Sequence, residues 1–542
     1  MPRPSARPAR GRAGDPWRAR CARAVVHATA SLLLVGAGAP AAATTASAPP
    51  GSAPPGSADR LELRTDRLQV VFSISQAAPI AWRACHRSCD VARATSMDFV
   101  DGAEPPPVRL FIGGGARLPE LEQSRFAVEA ASGDPTRSVT FAAEVPSRAI
   151  RIVRAFELLP HGYEVVAVAR VEGPGAAATM GARRLGLELR AGLGLVSPPA
   201  AGFSASLDGV QRIAVAGGTA TAIADSGRMD AVLAPRAWAG VRNRFWALLA
   251  RSDGAVALTA DPHAGAPIRL APEMGAVAAS YVFYAGPTDR SALVAADPAL
   301  GALLFAGLWS PLRPLSLGLL FLLHGLTALV REPGLGVIAL ALSVKTLLWP
   351  LTAVAHRLQH GVDATRARLQ PGLEAIKAAY RGEERTRRTV ALYREEGVHP
   401  LYTLKGLVGV LIQLPVFIAV FDALAEDFGM HRASFLWIAD LARPDAALPL
   451  PVTLPFLGGH LNALPVLMTA ISLTAALRFA APALPAALVR RQRGNLVGMA
   501  GLFFLLFYTF PAGMVLYWTS TNAIQLAVSE LGRWRSTTGR SG

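Results

Sequence analysis

The sequence predicts a chain of two unlike parts, an antiparallel β-sandwich followed by a bundle of membrane-spanning helices. Three observations predict this. Apolar and polar residues alternate with period 2 in several stretches between residues 60 and 300. Apolar runs long enough to cross hydrocarbon recur after residue 334. The arginines cluster beside those runs. Of 542 residues, 52% are hydrophobic, and the mean hydropathy is +0.34, above that of ordinary soluble domains. The net charge of +16 would also suit nucleic acid. The placement of the arginines fits the positive-inside rule better and sets nucleic-acid binding aside.

Residues 1–24 carry seven arginines and the single acid Asp15, and residues 24–44 are small and mildly apolar. Together 1–44 read as a signal peptide or N-terminal signal anchor, which leaves the N-terminus in the cytoplasm and exports the domain after it. Residues 45–59 are a Pro/Ser/Ala linker. The exported domain spans 60–300. Its strand patterns are 61–73, 138–145, 150–158, 163–172 and 278–286, with Gly, Pro, Asp and Ser between them. No catalytic constellation emerges there. Gly113-Gly114-Gly115 lacks a strand–helix context for phosphate, and His161 sits in a solvated turn. Cys21 stands alone in the basic region. Cys85 and Cys89 form a C-x3-C pair that could close a local disulfide or remain as two thiols. A metal site would need more ligands than His86 nearby, so none is expected.

The membrane part centres on Lys345, inside the apolar run 334–355. That run spans about 33 Å as a helix, against a hydrocarbon core of about 30 Å. A cation at its centre costs roughly 2.5–3.5 kcal/mol on insertion scales, so it should face a partner, a polar cavity or water. Snorkelling to the interface is the alternative. The chain has only three lysines, Lys345, Lys377 and Lys405, among 54 Lys+Arg. Residues 301–333 include a run, 314–330, with the length of a short span. If it crossed the membrane, the arginine-rich segment 356–394 would lie outside. Charge parity therefore makes 311–331 an interfacial helix on the outer leaflet, with His324 central and Arg313 and Arg331 flanking. Further spans occur at 404–424, 461–481, 496–510 and 514–531, with an external loop at 425–459. Arg490, Arg491 and Arg493 in 482–495, and the tail at 532–542, then fall on the cytoplasmic side. Segment 356–400 reads as an antiparallel helical hairpin broken near Arg381-Gly382. Its basic residues Arg366, Arg368, Lys377, Arg381, Arg385, Arg387 and Arg388 offer a recruitment surface.

Six pieces of the C-terminal half occur in an order that resembles the YidC/Oxa/Alb family of membrane-protein insertases. They are VKTLLWPLT (344–352), LQP (369–371), LYREEGVHPL (392–401), IQLPVFIAVFDAL (412–424), FLWIADL (435–441) and FPAGMVLYWTSTNAIQLA (510–527). A looser likeness joins the first half to the family's large periplasmic domain, carried by RLELRTDRLQVVFS (60–73), AFELLPHGYEVVAVARVEG (155–173), WAGVRNRFWALLAR (238–251) and YVFYAGP (281–287). The resemblance implies a periplasmic β-supersandwich, then a five-helix transmembrane insertase core over 334–531 with a cytoplasmic helical hairpin. The sequence departs from the family at Lys345, where Arg is usual, and at His399, where Asn is common. It also departs at Leu401-Tyr402-Thr403-Leu404-Lys405, and its N-terminal segment is signal-like.

An insertase of this kind does no covalent chemistry and needs no cofactor. The resemblance implies a hydrophilic groove, open to cytoplasm and lipid, that lowers the cost of moving a client's polar segment across the inner membrane. Lys345 would attract an acidic client tail. A guanidinium stays charged, whereas a desolvated ammonium can release its proton, so lysine leaves the groove's charge switchable. Ser343, Thr346, Gln413, Thr469, Ser472, Thr519, Thr521 and Asn522 are the other polar candidates; they equally suit interhelical hydrogen bonds. Tyr517 and Trp518 match a family position near the client's exit path and also suit an aromatic belt. Expected partners are nascent membrane proteins, the Sec translocon, the ribosome or targeting factors, and membrane lipids, with the chain itself a monomer. A specialised assembly chaperone with few clients is the nearest alternative. A transporter would call for inverted repeats, which are not seen. An intramembrane protease would need a paired Asp, Ser-His or HExxH set, also not seen.

Overall fold

The computed structural model describes residues 59–538 except 87, 91–94, 102–107, 115–119, 121–122, 130–133, 191–194, 196–206, 208, 224–228, 262–266, 400, 455–456 and 480–485. The leader, most of the linker, Cys21, Gly115 and Arg540 lie outside the described residues.

Among the described residues, the first half forms three antiparallel sheets. A nine-stranded sheet runs in spatial order Thr219–Ala222, Gln211–Ala216, Trp238–Arg242, Trp246–Arg251, Ala278–Pro287, Glu164–Glu172, Ile150–Leu158, Ser138–Val145 and Ala127–Glu129. A five-stranded sheet orders Met229–Leu233, Val256–Ala260, Ile268–Ala271, Arg184–Leu189 and Val108–Gly113. A four-stranded sheet orders Arg60–Arg64, Leu68–Ser73, Ala78–Cys85 and Ser96–Asp101. Tyr281 and Phe283 project from one face of the large sheet because they are two residues apart on one strand. Phe283 packs edge-on against Trp82 of the four-stranded sheet at 5.9 Å. Tyr281 donates its hydroxyl to Leu185 O of the five-stranded sheet at 2.9 Å. Both small sheets therefore cover the same face of the large one, which makes a sandwich-like core. On the opposite face, Trp238 Nε1 donates to Asp297 Oδ2 at 2.9 Å, just past the short helix Arg290–Ala296. A shorter helical turn, Ala176–Met180, follows the strand Glu164–Glu172.

The patterns at 138–145, 150–158, 163–172 and 278–286 each coincide with a strand. The pattern at 61–73 is two strands, because Thr65 Oγ1 accepts from the amides of Arg67 and Leu68 and folds the chain back on itself. Cys85 and Cys89 are joined as a disulfide.

Among the described residues, helices α1 (Ala176–Met180) and α2 (Arg290–Ala296) belong to that half, and seven more lie in the second. They are α3 (Arg313–Val330), α4 (Pro333–Ala379), α5 (Gly382–Glu395), α6 (Val408–Glu426), α7 (Ala463–Leu477), α8 (Ala486–Phe507) and α9 (Ala512–Thr538). Helix α4 is 47 residues long, about 70 Å, so the first apolar run and the first arm of the hairpin are one helix. The chain turns at Tyr380–Arg381, where Gly382 takes φ +60°, a conformation that favours glycine. Helix α5 then packs back: Leu392 fills the space beside Gly372, and Arg368 pairs with Glu396 at 3.3 Å.

Other boundaries move. Helix α6 starts at Val408 rather than 404, because Tyr402–Leu407 is a 3-10 turn that follows the amide of Leu401 bonding back to His399 Nδ1 at 3.1 Å. Helix α8 starts well before 496, so it takes in Arg490, Arg491 and Arg493, which precede the expected span. Hydropathy marks only the apolar part of a helix, and arginine is itself a good helix former. The segment 425–459 is not a plain loop. It carries a hairpin, Leu448–Leu454 with Gly458–Leu461, and its acids act as caps. Asp440 accepts from the amides of Arg432 and Ala442, and Asp445 from that of Leu464.

Helix α3 buries Ser316, Leu319, Leu320 and Leu323, spaced as one helical face, and exposes Leu315, Phe321, Leu322 and Leu329. Among the described residues, Ser310–Val330 and Pro333–Ala379 are long and apolar enough to cross a membrane by length and composition. His324 hydrogen-bonds Asp427 at 2.8 Å, which ties α3 to the end of α6.

A layer of rings joins the sheets to the helices. Phe428 lies 4.3 Å from His86 of the disulfide loop and 5.3 Å from Trp246, while His431 stacks on Phe245 at 4.4 Å. Burial, then Arg432, Arg244, Arg443 and His86, push the His431 imidazole down to about 3 from its usual 6.5. An unfolded chain binds a proton here below 6.5 that the folded chain refuses. The stability His431 contributes is thus full above that value and lost as pH falls toward 3. In His431→Phe the ring stack is kept, so urea unfolding between about pH 7 and pH 5 should lose part of its acid sensitivity. An unchanged slope would refute this role.

Candidate functional site

Helix α4 buries Val337, Leu340, Ala341 and Val344, and Lys345 stands at the edge of that stripe, half-buried. Its Nζ donates to Gln525 Oε1 on α9 at 3.3 Å. One helical turn earlier on α9, Asn522 Nδ2 donates to Ser472 Oγ on α7 at 3.0 Å. Asn522 and Gln525, three apart, lie on one face of α9. The result is a polar seam through otherwise apolar helices, running Ser472, Asn522, Gln525, Lys345. No carboxylate pairs with Lys345 among the described residues.

The structure brings together Lys345, Ser472 and Asn522 of the residues singled out from the sequence. Others turn elsewhere. Thr346 is exposed, and its hydroxyl bonds Leu342 O of its own helix at 2.8 Å. Thr469, Thr519 and Thr521 likewise bond carbonyls of Pro465, Val515 and Tyr517 one turn back. Ser343 and Gln413 are half-buried. Tyr517 is buried. Trp518 sits in an aromatic cluster, 5.0 Å from Phe417 on α6 and 5.5 Å from Phe503 and Phe507 on α8. Gln525 was not singled out from the sequence. Its signal is its spacing, one helical turn beyond Asn522 inside the same apolar stretch.

On the hairpin, Glu384 pairs with Arg387 at 2.7 Å and Arg388 at 2.9 Å, and hydrogen bonds from Arg388 and then Arg387 pull its carboxyl below the usual range. Arg388 also lies over the Tyr380 ring at 5.2 Å. Among the described residues, Arg366, Lys377, Arg381 and Arg385 have no ion-pair partner.

A β-rich domain thus precedes a helical part in which a half-buried cation ends a polar seam, and two of the described helices are long and apolar enough to cross a membrane. Residues 325–532 match the family described as the 60Kd inner membrane protein. Over those residues the chain is similar to that family and to proteins named membrane protein insertase YidC, in line with the sequence resemblance. The membrane protein insertase YidC of Cellvibrio japonicus (strain Ueda107) is 33% identical over 254 residues, 45% of this chain and 40% of the relative. That of Syntrophobacter fumaroxidans (strain DSM 10017 / MPOB) is 30% identical over 249 residues, 45% of this chain and 42% of the relative. The chain thus spans less than half the length of these curated relatives. A crystal structure described as an active YidC insertase with its first transmembrane domain resolved aligns over 87% of this chain and 92% of that one, at 15% identity and TM-score 0.34.

Proposed function

We propose that this chain is a membrane-protein insertase and chaperone of the bacterial inner membrane. Its exported sandwich, residues 60–300, faces the periplasm, and α3 lies on the outer leaflet. Helices α4, α6, α7, α8 and α9 form the five-span core, with the hairpin and the C-terminus in the cytoplasm. Its clients are nascent membrane proteins with short polar segments. The unpaired basic face of the hairpin recruits the ribosome, targeting factors or lipid headgroups, and the chain works alone or beside the Sec translocon.

The observation that carries this reading is Lys345. It is a cation on an apolar helix whose partner is the neutral amide of Gln525. A charge on an apolar membrane helix left without a counter-charge is costly, and such residues are as a rule functional. An acidic client tail supplies that counter-charge, and a neutral amide is easily displaced. The seam continues to Asn522 and Ser472, which offers a polar track for the client's backbone.

Reconstitution tests it. Proteoliposomes holding the full chain should protect the acidic N-terminal tail of a single-span client from external protease. Protection no greater than in protein-free liposomes would overturn the reading.

A further inference from the structure

We propose that Arg244 is a positioning residue, through which the sandwich sets the placement of α6 and α9 around Lys345. The inference rests on the reading of the Lys345 seam as the client site.

Arg244 lies in the turn between the strands Trp238–Arg242 and Trp246–Arg251. That turn is held rigidly. Asn243 Oδ1 accepts from the amides of Phe245 at 3.0 Å and Trp246 at 2.8 Å, and Thr288 Oγ1 donates to Arg244 O at 2.8 Å. The guanidinium leaves the sandwich and enters the helical unit. Its Nε donates to Ala425 O, and its Nη2 to Leu424 O at 3.4 Å, both in the last turn of α6. These carbonyls have no partner within the helix, and a cation there is favoured by the helix dipole.

The third contact matters most. Arg244 Nη1 donates to Ala442 O at 2.9 Å. The carbonyls on either side go to the opposite helix: Leu441 O accepts from Gly513 N at 2.8 Å, and Arg443 O from Ala512 N at 2.7 Å. Those are two of the unpaired amides that open α9. Three successive carbonyls thus hold a sandwich arginine between two contacts to the start of α9. Gly513 permits the approach, since a Cβ there would stand 3.3 Å from Leu441 O. Helix α9 is continuous from Ala512, and about 15 Å and 20 Å along it lie Asn522 and Gln525. A shift at Ala442 therefore moves the groups that face Ser472 and Lys345.

Arg244 is buried, and so is its neighbour Arg242, which donates to Leu303 O at 2.7 Å. Such groups are costly to bury unless every donor is used. The forked geometry of arginine reaches three carbonyls at once, and a lysine ammonium cannot.

The test uses the full chain in lipid nanodiscs, with Arg244→Ala, Arg244→Lys and Gly513→Ala. Amide hydrogen exchange is read at 428–443, at Ala512 and Gly513, and in the strand Trp246–Arg251 as a folding control. In Arg244→Ala, exchange at Ala512 and Gly513 should rise about tenfold or more, with the control strand unchanged. Arg244→Lys should recover little of the loss. The distant readout is disulfide formation between cysteines at Ser472→Cys and Asn522→Cys, which should slow in the Arg244→Ala background. Gly513→Ala presses on the same carbonyl run from the α9 side, and should give the same distant effect whatever happens to the sandwich. Native protection at Ala512 and Gly513 in Arg244→Ala would overturn the proposal. So would an unchanged Ser472–Asn522 cross-linking rate. If the native chain inserts no client while these shifts occur, the insertase reading falls and the positioning role stands.

Discussion

Replacing Lys345 with alanine is expected to cut insertion of acidic-tailed clients at least tenfold and to leave neutral-tailed clients within a factor of about two. The attraction between an ammonium and a carboxylate about 4 Å apart is on the order of 4 kcal/mol at an effective dielectric of 20. That is comparable with the cost of placing the cation in the helix. Under the proposed insertase function, one transient pair would thus hold a client tail without trapping it. Gln525, the neutral partner at 3.3 Å, would be displaced and not neutralised. Lys345→Arg separates charge from side-chain identity. It should support insertion at neutral pH. At alkaline pH, where a lysine releases its proton, insertion by the native chain should fall and that of Lys345→Arg should persist. Protease protection of matched client pairs across pH measures both effects. Equal losses for acidic and neutral tails in Lys345→Ala would remove the charge from the mechanism, and identical pH profiles would remove the switch.

The second large effect is expected at Phe428. Its ring is buried among His86, Trp246, Phe245 and His431, with centroids 4.3 to 6.1 Å away. Phe428→Ala leaves a cavity where the sandwich meets the helices. Truncating a buried phenylalanine costs about 3–5 kcal/mol, less whatever the neighbours recover by collapse. Because the cavity lies between two structural parts, the loss should appear as local opening. Limited proteolysis of 428–443 should accelerate sharply while the strands of the sandwich stay resistant. Phe428→Leu, which refills most of the volume, should restore much of the protection. If Phe428→Ala digests like the native chain, the ring layer does not hold the two parts together.

The disulfide loop bears on the same layer. Cys85 and Cys89 close a short loop that presents His86 to Phe428, and Tyr163 donates its hydroxyl to Cys85 O at 3.0 Å and His86 O at 2.7 Å. The spacing of the two cysteines left disulfide and free thiols open. The choice depends on how the strand end Ala78–Cys85 is turned, with Cys89 N bonded to Asp66 O at 2.8 Å.

Much of the architecture was legible in local patterns. Period-2 alternation located the strands Ser138–Val145, Ile150–Leu158 and Glu164–Glu172, because one face of each is more buried than the other, and it located Ala278–Pro287 through its first half, since from Phe283 onward both faces of that strand are buried. Apolar runs located the helices α3, α4 and α6 to α9, and a basic stretch broken at Gly382 located the hairpin. Lys345 was visible as an energetic anomaly in its run. Helix ends were less legible, since Arg490, Arg491 and Arg493 extend α8 without an apolar signal.

The sequence by itself thus determined the class of the chain, the order of its parts and the position of the cation, because each depends on local periodicity or on the cost of one charge in one apolar helix. Tertiary structure alone decided which groups meet that cation. Gln525 reaches Lys345 across 180 positions, Ser472 meets Asn522 across 50, and Arg244 meets Ala442 across 198. Contacts so remote in sequence leave no periodic trace. They are fixed by how whole helices and sheets pack, which no single segment encodes.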